Sequence, residues 1–229
     1  MDKYLTPAEL STLLKTVQRV HTPTAQRDYH IIAALSLCGC RIGEFAQITV
    51  LQAVNALKSK YLFLPREHRK GRRAHVKDDG TAVADKRKDH EVYVTAALAE
   101  HIKALLDMTD ARVMDAPLVR GRYGEPMTVR AYQLRVQHWA DVAQLGLKVS
   151  PHWFRHTRAM NIMRSSGAQN PLLVVQKVLG HSNINNTAIY AHATREDMEQ
   201  ALQTVDAPHN KRRGRLSTLR KQYDKETAQ

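Results

Sequence analysis

The sequence predicts an α+β fold that is mainly helical, with a small antiparallel β-sheet inserted early in the chain. Three observations carry this. Helix-opening pairs recur: Thr6-Pro7, Ser150-Pro151 and Asn170-Pro171 each set a capping side chain ahead of a proline suited to the first helical position. Apolar residues after such signals repeat at helical spacing. The β-rich runs are short and lie between residues 48 and 94.

The first helix opens with a capping box, Thr6-Pro7-Ala8-Glu9, and carries the stripe Leu10, Leu13, Leu14 and Val17. A second runs from about Asp28 to Cys38 and stops at Gly39, which suits a left-handed C-terminal cap. A short third helix covers Ile42 to Gln47. Strands are expected at Ile48-Thr49-Val50-Leu51, Tyr61-Leu62-Phe63-Leu64 and Glu91-Val92-Tyr93-Val94, with a polar, basic stretch from Arg66 to His90 before the last. Thr95 caps a helix marked by Leu98, Ile102, Leu105 and Leu106. Residues 108–128 read as loop, and Thr128 opens a helix reaching about Leu145. Gly167 and Gly180 sit where helices should end, and Thr194 with Asp197 suggests a further capping box. The tail from Asn210 is polar and basic.

At 229 residues the chain can bury an ample core, and no internal repeat divides it. No apolar run approaches the roughly 20 residues that span a bilayer. Met1 to Leu10 lacks the apolar centre of a secretory signal, so a cytoplasmic protein is expected. Cys38 and Cys40 cannot build a disulfide framework and read as core packing. Thirty-five Lys and Arg against 22 Asp and Glu leave a net charge of +13, which points to a polyanionic partner whose counterions are released on binding. An aromatic fraction of 6% argues against a single-strand binder built on stacking.

Several short motifs are individually weak. His152-Trp153-Phe154-Arg155-His156 puts His152 and Arg155 on one face of a helix start, where free backbone N–H groups favour phosphate. Gly180-His181-Ser182 follows a helix end, Tyr190 lies in Thr187-Ala188-Ile189-Tyr190, and Arg41-Ile42-Gly43-Glu44 reads alone as a surface ion pair.

Together, and in this order, they resemble the tyrosine recombinase (phage integrase) family, from about Leu5 to about Val205. The matching elements are Arg41 with Glu44, the His-x-x-Arg-His-Thr box from His152 to Thr157, and Leu179-Gly180-His181 with Tyr190 nine residues on. Pro151 and Tyr123-Gly124-Glu125-Pro126 agree as well. The resemblance implies a catalytic domain over residues 1–207 that cuts and rejoins double-stranded DNA, with Tyr190 as nucleophile forming a 3′-phosphotyrosyl bond. Arg41 and Arg155 then clamp the non-bridging phosphate oxygens through paired, directional bonds that lysines supply less well. His152 serves as base, since a phenol of pKa about 10 needs help losing its proton. His181 supports the phosphate, and Glu44 orients Arg41 or His152, or forms only a structural ion pair. The link conserves bond energy, so no nucleotide, metal or other cofactor is implied. Neither a HExxH motif nor a Cys/His cluster at zinc spacing occurs.

The resemblance also implies a hairpin lysine that protonates the leaving 5′-oxygen. The hairpin here is unusually long and Lys-rich. Lys70 follows the second strand at the usual distance and is preferred, with residues 74–88 taken as a hairpin extension; Lys86 is the alternative. The remaining cations of the segment, Arg66, Arg69, Arg72, Arg73, Lys77, Arg87 and Lys88, with Arg130, are expected on DNA phosphates. No helical core-binding domain precedes the catalytic pattern, which suits either a fragment or a minimal recombinase, the latter favoured by Met1. Residues 208–229 form a basic tail, which the resemblance places on a neighbouring protomer in a DNA-bound assembly, a tetramer. A type IB topoisomerase-like relaxase and a catalytically silent DNA-binding accessory protein are the competing readings. The Leu-Gly-His to Tyr interval favours the recombinase.

Overall fold

The computed structural model describes residues 3–69, 75–76, 78, 81–85, 87–109, 112–121, 123–165, 167–181 and 187. All lie within the unit Met1–Ala191. The expected capping box at Thr194, the domain boundary at residue 207 and the basic tail fall outside the described residues.

Helix α1, Pro7–Gln18, has the capping box in place: Thr6 Oγ1 accepts from the Glu9 amide, and Glu9 accepts from the Thr6 amide. Helix α2, Pro23–Cys38, begins five residues before the expected Asp28, because Thr22 caps it and Pro23 takes its first position. It ends at Gly39, whose φ of 64° is left-handed as its position requires. The α2 helix packs against α1, α5 (Ala96–Asp107) and α7 (Pro151–Ser165), and so is buried on several sides. Its row of Ile31, Ile32, Ala34, Leu35 and Cys38 is the spine of the main core.

One expected strand is a helix. Thr49 is the N-cap of α4, Val50–Ser59, in a capping box with Gln52. Val50, Ala53 and Ala56 fall three residues apart and are fully buried, so the helical face outweighs the β-branched character of the run. What remains strand-like is an isolated bridge between Thr49 and Pro117. Two first-turn donors of α4 are also satisfied across this seam, Val50 by the Ala116 carbonyl and Leu51 by that of Met114. The third helix, α3, is shorter than expected at Ile42–Phe45.

The sheet is a pair of antiparallel strands, β1 (Tyr61–Leu64) and β4 (His90–Tyr93), with Tyr61 opposite Tyr93 and Leu64 opposite His90. Alternation sends Leu62, Leu64, His90 and Val92 inward, while Tyr61, Phe63 and Tyr93 face outward. A polar residue, His90, thus occupies an inward position at the end of the ladder. Between the strands lie a single 3-10 turn, Arg66–His68, and a second small ladder of β2 (His75–Val76) with β3 (Ala82–Val83). The extension expected over residues 74–88 therefore contains paired strands. Helix α6, Val129–Val142, opens at Thr128 and stops three residues before the expected Leu145, and α8, Pro171–Leu179, opens at Asn170 and stops at Gly180. Ala159 of α7 packs with Val175 and Leu179 of α8 in a separate small apolar cluster.

Asp28 of α2 is 1% exposed. Its carboxylate accepts from Trp139 Nε1 at 2.9 Å and from the Arg135 guanidinium, both on α6, and from Arg27 at 3.2 Å. Losing the carboxylate leaves an indole N–H and a guanidinium without their acceptor. Asp28→Ala is therefore expected to lower the unfolding free energy by about 3–5 kcal/mol, with Asp28→Asn costing less, as read from urea denaturation. A loss under about 1 kcal/mol for Asp28→Ala would show that α2 and α6 do not depend on this group.

Candidate active site

The last carbonyls of a helix have no partner within it. At the end of α8 three consecutive ones are each met by a side chain from a different part of the chain. His90 Nε2 donates to the Val178 carbonyl at 3.0 Å, Arg155 Nη2 to that of Leu179 at 2.9 Å, and Arg69 Nη2 to that of Gly180 at 2.6 Å. Cationic donors at a helix C-terminus also complement its dipole. Gly180 is left-handed, with a φ of 63°, and a Cβ there would stand 2.6 Å from Arg69 Nη2 and 2.8 Å from the His90 ring. Only glycine lets β4 and the Arg69 side chain come this close to the turn. The His181 amide closes the turn on the Gln176 carbonyl at 3.0 Å, and Gln176 Nε2 returns a bond to the His181 carbonyl at 3.3 Å.

Arg155, on the second turn of α7, is 5% exposed. Besides Leu179, it donates through Nη1 to the Gly39 carbonyl at 2.8 Å. One guanidinium plane thus joins the end of α2 to the end of α8. The two helix ends also touch directly: a Cβ on Gly39 would lie 3.2 Å from both Leu179 Cδ2 and Arg158 Cγ. Cys38 and Cys40 flank Gly39 as buried free thiols, their sulfurs 3.0 Å apart, in keeping with core packing.

Two residues further on, Arg41 opens α3. Glu44, 1% exposed, receives the Arg41 amide at 2.8 Å on Oε2 and Arg41 Nη1 at 2.9 Å on Oε1. Arg69 Nε approaches the same Oε1 at 3.3 Å. Burial alone would push the Glu44 pKa up. The Arg41 amide and guanidinium, with Arg69, outweigh it and leave the carboxyl below its ordinary value. Arg41, one of the two partners expected for Glu44, is bonded to it.

His181 is half-buried, and its Nδ1 lies 2.9 Å from Thr187 Oγ1. Burial, then the positive charges of Arg155, Arg41 and Arg69, and then His156, drive its pKa down to about 4. The imidazole is neutral at pH 7 and serves as a hydrogen-bonding group, not a cation. His152 is exposed on the first turn of α7; half-buried His156, one turn along, has its pKa lowered by burial first and then by electrostatic interaction with His152 and Arg155. Arg41, Arg155, His181 and, through His156, His152 therefore belong to one electrostatic cluster, although up to 140 positions separate them. Such a cluster can stabilise negative charge developing on a phosphate.

The cations expected on phosphates divide. Arg66, Lys88 and Arg130 are exposed. Arg69 is not: its side chain is 8% exposed, and Nη1 also donates to the Lys88 carbonyl at 2.8 Å. Three acceptors within the protein hold its guanidinium: the Glu44 carboxylate and the Lys88 and Gly180 carbonyls. Arg87 is similarly engaged, paired with Asp85 at 2.7 Å and bonded to the Glu67 carbonyl at 3.0 Å, with a side chain only 9% exposed. Lys70, Lys86, Arg72, Arg73, Lys77 and Tyr190 lie outside the described residues. Of the other tyrosines, Tyr132 is 1% exposed with its hydroxyl enclosed and its pKa pushed up by burial, which disqualifies it as a nucleophile. Among the described residues no group of three or more His, Cys, Asp or Glu side chains gathers to hold a metal ion. No helix among them is long and apolar enough to cross a membrane.

Reading the sequence alone misses His90, Gln176 and Thr187, and the internal bonds of Arg69. A signal existed for His90, a polar residue in phase with inward Val92. For the others, only the folded turn brings them to His181.

The profile of the phage integrase family matches residues 3–197. The chain is 30% identical over 213 residues to the tyrosine recombinase XerD of Pseudomonas aeruginosa, a match covering 93% of this chain and 63% of that protein. To the XerC recombinase of the same species it is 37% identical over 123 residues, 53% of this chain and 38% of that one. The matches thus span less than two thirds of the length of these relatives. Among solved structures, the XerA recombinase superposes with a TM-score of 0.67 at 20% identity, covering 91% of this chain and 65% of that one. A Tn1549 transposon integrase in complex with circular intermediate DNA superposes with a TM-score of 0.67 at 18% identity, covering 90% and 68%. These two share the fold.

The depressed pKa of His181 sets a pH dependence of stability. Between about 4 and its ordinary 6.5 the unfolded chain binds a proton that the folded one refuses, so stability rises with pH across that window. His156 and His90, lowered chiefly by burial, act in the same direction. The urea midpoint is expected to fall as pH drops from 6.5 toward 4, and less steeply in His181→Gln. A midpoint that holds steady or climbs over that range would contradict this electrostatic picture.

Proposed function

The chain belongs to the phage integrase family, and we propose that it is a site-specific DNA recombinase that cuts and rejoins duplex DNA through a 3′-phosphotyrosyl link to Tyr190. The observation that supports this most is the meeting of Arg41, Arg155 and His181 at the end of α8, with His152 on the adjoining helix start.

In this reading the Tyr190 oxygen attacks phosphorus as its proton passes to His152, and the bond to the 5′-oxygen breaks. Arg41 and Arg155 hold the non-bridging oxygens, where charge accumulates; removing one such donor costs on the order of 100 to 1000-fold in rate. Arg155 enters with its plane fixed by the Gly39 and Leu179 carbonyls, and Arg41 enters braced by Glu44. His181 acts neutral. On this proposal its proton sits on Nε2, which donates to a phosphate oxygen, and Nδ1, 2.9 Å from the Thr187 hydroxyl, then accepts from it. Lys70 gives a proton to the departing 5′-oxygen, with Lys86 as the alternative donor. The products are a 3′-phosphotyrosyl strand and a 5′-hydroxyl, and the reverse reaction on a new 5′-hydroxyl rejoins DNA without a cofactor.

Residues 1–207 form the catalytic domain on this proposal, and 208–229 a tail that docks on a neighbouring protomer. The working species is a DNA-bound assembly, a tetramer, in the cytoplasm. Exposed Arg66, Lys88 and Arg130, with Arg72, Arg73 and Lys77, supply phosphate contacts that give binding its salt dependence.

A substrate nicked beside the scissile phosphate traps the covalent step. The intact chain is expected to form a denaturation-resistant adduct mapping to Tyr190, with or without EDTA, and Tyr190→Phe to bind DNA but form none. An adduct on Tyr93, or strict metal dependence, rejects the mechanism. For the proton donor, Lys70→Ala is expected to cripple cleavage of an ordinary phosphodiester and to recover on a 5′-bridging phosphorothiolate, whose sulfur leaves unprotonated. Recovery confined to Lys86→Ala transfers the role to Lys86.

A further inference from the structure

We propose that Arg69 is a positioning residue for strand cleavage: its guanidinium holds the Gly180 carbonyl and the Glu44 carboxylate in fixed relation, and so sets His181 and Arg41 on the scissile phosphate. The inference rests on the reading of those two groups as phosphate ligands.

Three nitrogens of Arg69 reach three separate segments. Nη2 donates to Gly180 at 2.6 Å, one residue from His181; Nε donates to Glu44 at 3.3 Å, the carboxylate that braces Arg41; Nη1 donates to Lys88 at 2.8 Å, across the hairpin. A planar fork with donors in several directions satisfies all three at once. A lysine ammonium, a point charge at the end of a flexible stem, cannot span them. The side chain is 8% exposed, so its charge is committed to the protein interior, and it packs where a Cβ on Gly180 would stand 2.6 Å away. The turn and the guanidinium are fitted to one another. Arg69 also contributes to keeping His181 neutral, alongside Arg155 and Arg41. A change of about 1 Å in the placement of a phosphate ligand can cost on the order of 100-fold in rate, which is the scale of effect expected here.

The test compares Arg69→Ala and Arg69→Lys in the full chain. Single-turnover cleavage of the nicked substrate is measured per active site, alongside duplex affinity at several salt concentrations and the His181 imidazole ¹⁵N resonances of the free protein. Both variants are expected to cleave about 100-fold more slowly while keeping wild-type affinity and salt slope, and both should shift the His181 resonances. A phosphate contact behaves otherwise: Arg69→Ala loses about one unit of salt slope, and Arg69→Lys stays close to wild type. A purely structural residue lowers the number of active sites but not the rate of each. Either pattern overturns the proposal. If Arg69→Ala fails to fold, Arg69→Lys alone decides, since a wild-type rate there rejects the role. If the wild-type chain forms no adduct, the recombinase reading fails; unchanged His181 resonances in both variants would then reject the positioning role on their own.

Discussion

The C-terminal end of an α-helix inside a protein leaves carbonyls that need donors from elsewhere, and the end of α8 meets that demand with His90, Arg155 and Arg69. Each arrives from a different element: β4, α7 and the segment after the 3-10 turn. Capping these carbonyls is what brings the hairpin, the α7 helix and the end of α2 to one place. Arg155 is the central member, because the carbonyls it bridges belong to residues 116 positions before it and 24 after it. Without an acceptor at either end, a guanidinium this buried would carry an uncompensated desolvation cost of several kcal/mol.

The same bonds settle the electrostatics. Burial first, and then the charges of Arg155, Arg41 and Arg69, make protonation of the His181 imidazole unfavourable, while one buried carboxylate, Glu44, pairs with both Arg41 and Arg69. The carboxylate stays ionised because both neighbours bond to it. Charge and geometry are therefore set together: whatever moves Glu44 moves Arg41 and Arg69, and changes the field at His181.

Much of this was legible in the sequence. The capping signals at Thr6, Thr95, Thr128 and Asn170 locate their helices because a cap is a local event, complete within four residues. Gly39 and Gly180 mark helix ends for the same reason. Val50-Leu51 misleads, since β-branched composition suits a strand and a buried first helical turn alike, and only the seam with residues 114–117 decides. The motif residues Arg41, His152, Arg155 and His181 are weak one by one and stand out only through the family resemblance that their order carries. Arg69 could not be told from its exposed neighbours, because in a run of basic residues nothing local reveals which side chain turns inward. Its partners lie 19, 25 and 111 positions away.

The bridge made by Arg155 also bears on how the molecule comes into being at the ribosome. Gly39, Arg41 and Glu44 are synthesised early, yet the guanidinium that joins Gly39 to the rest is added 116 residues later, and Leu179 later still. Contacts of such sequence separation form late and slowly. A nascent chain that stalls before α8 holds its cationic side chains in an unfinished arrangement, with Arg155 lacking the Leu179 carbonyl and Arg69 that of Gly180. Incomplete products thus carry the cationic side chains without the carbonyls that arrange them.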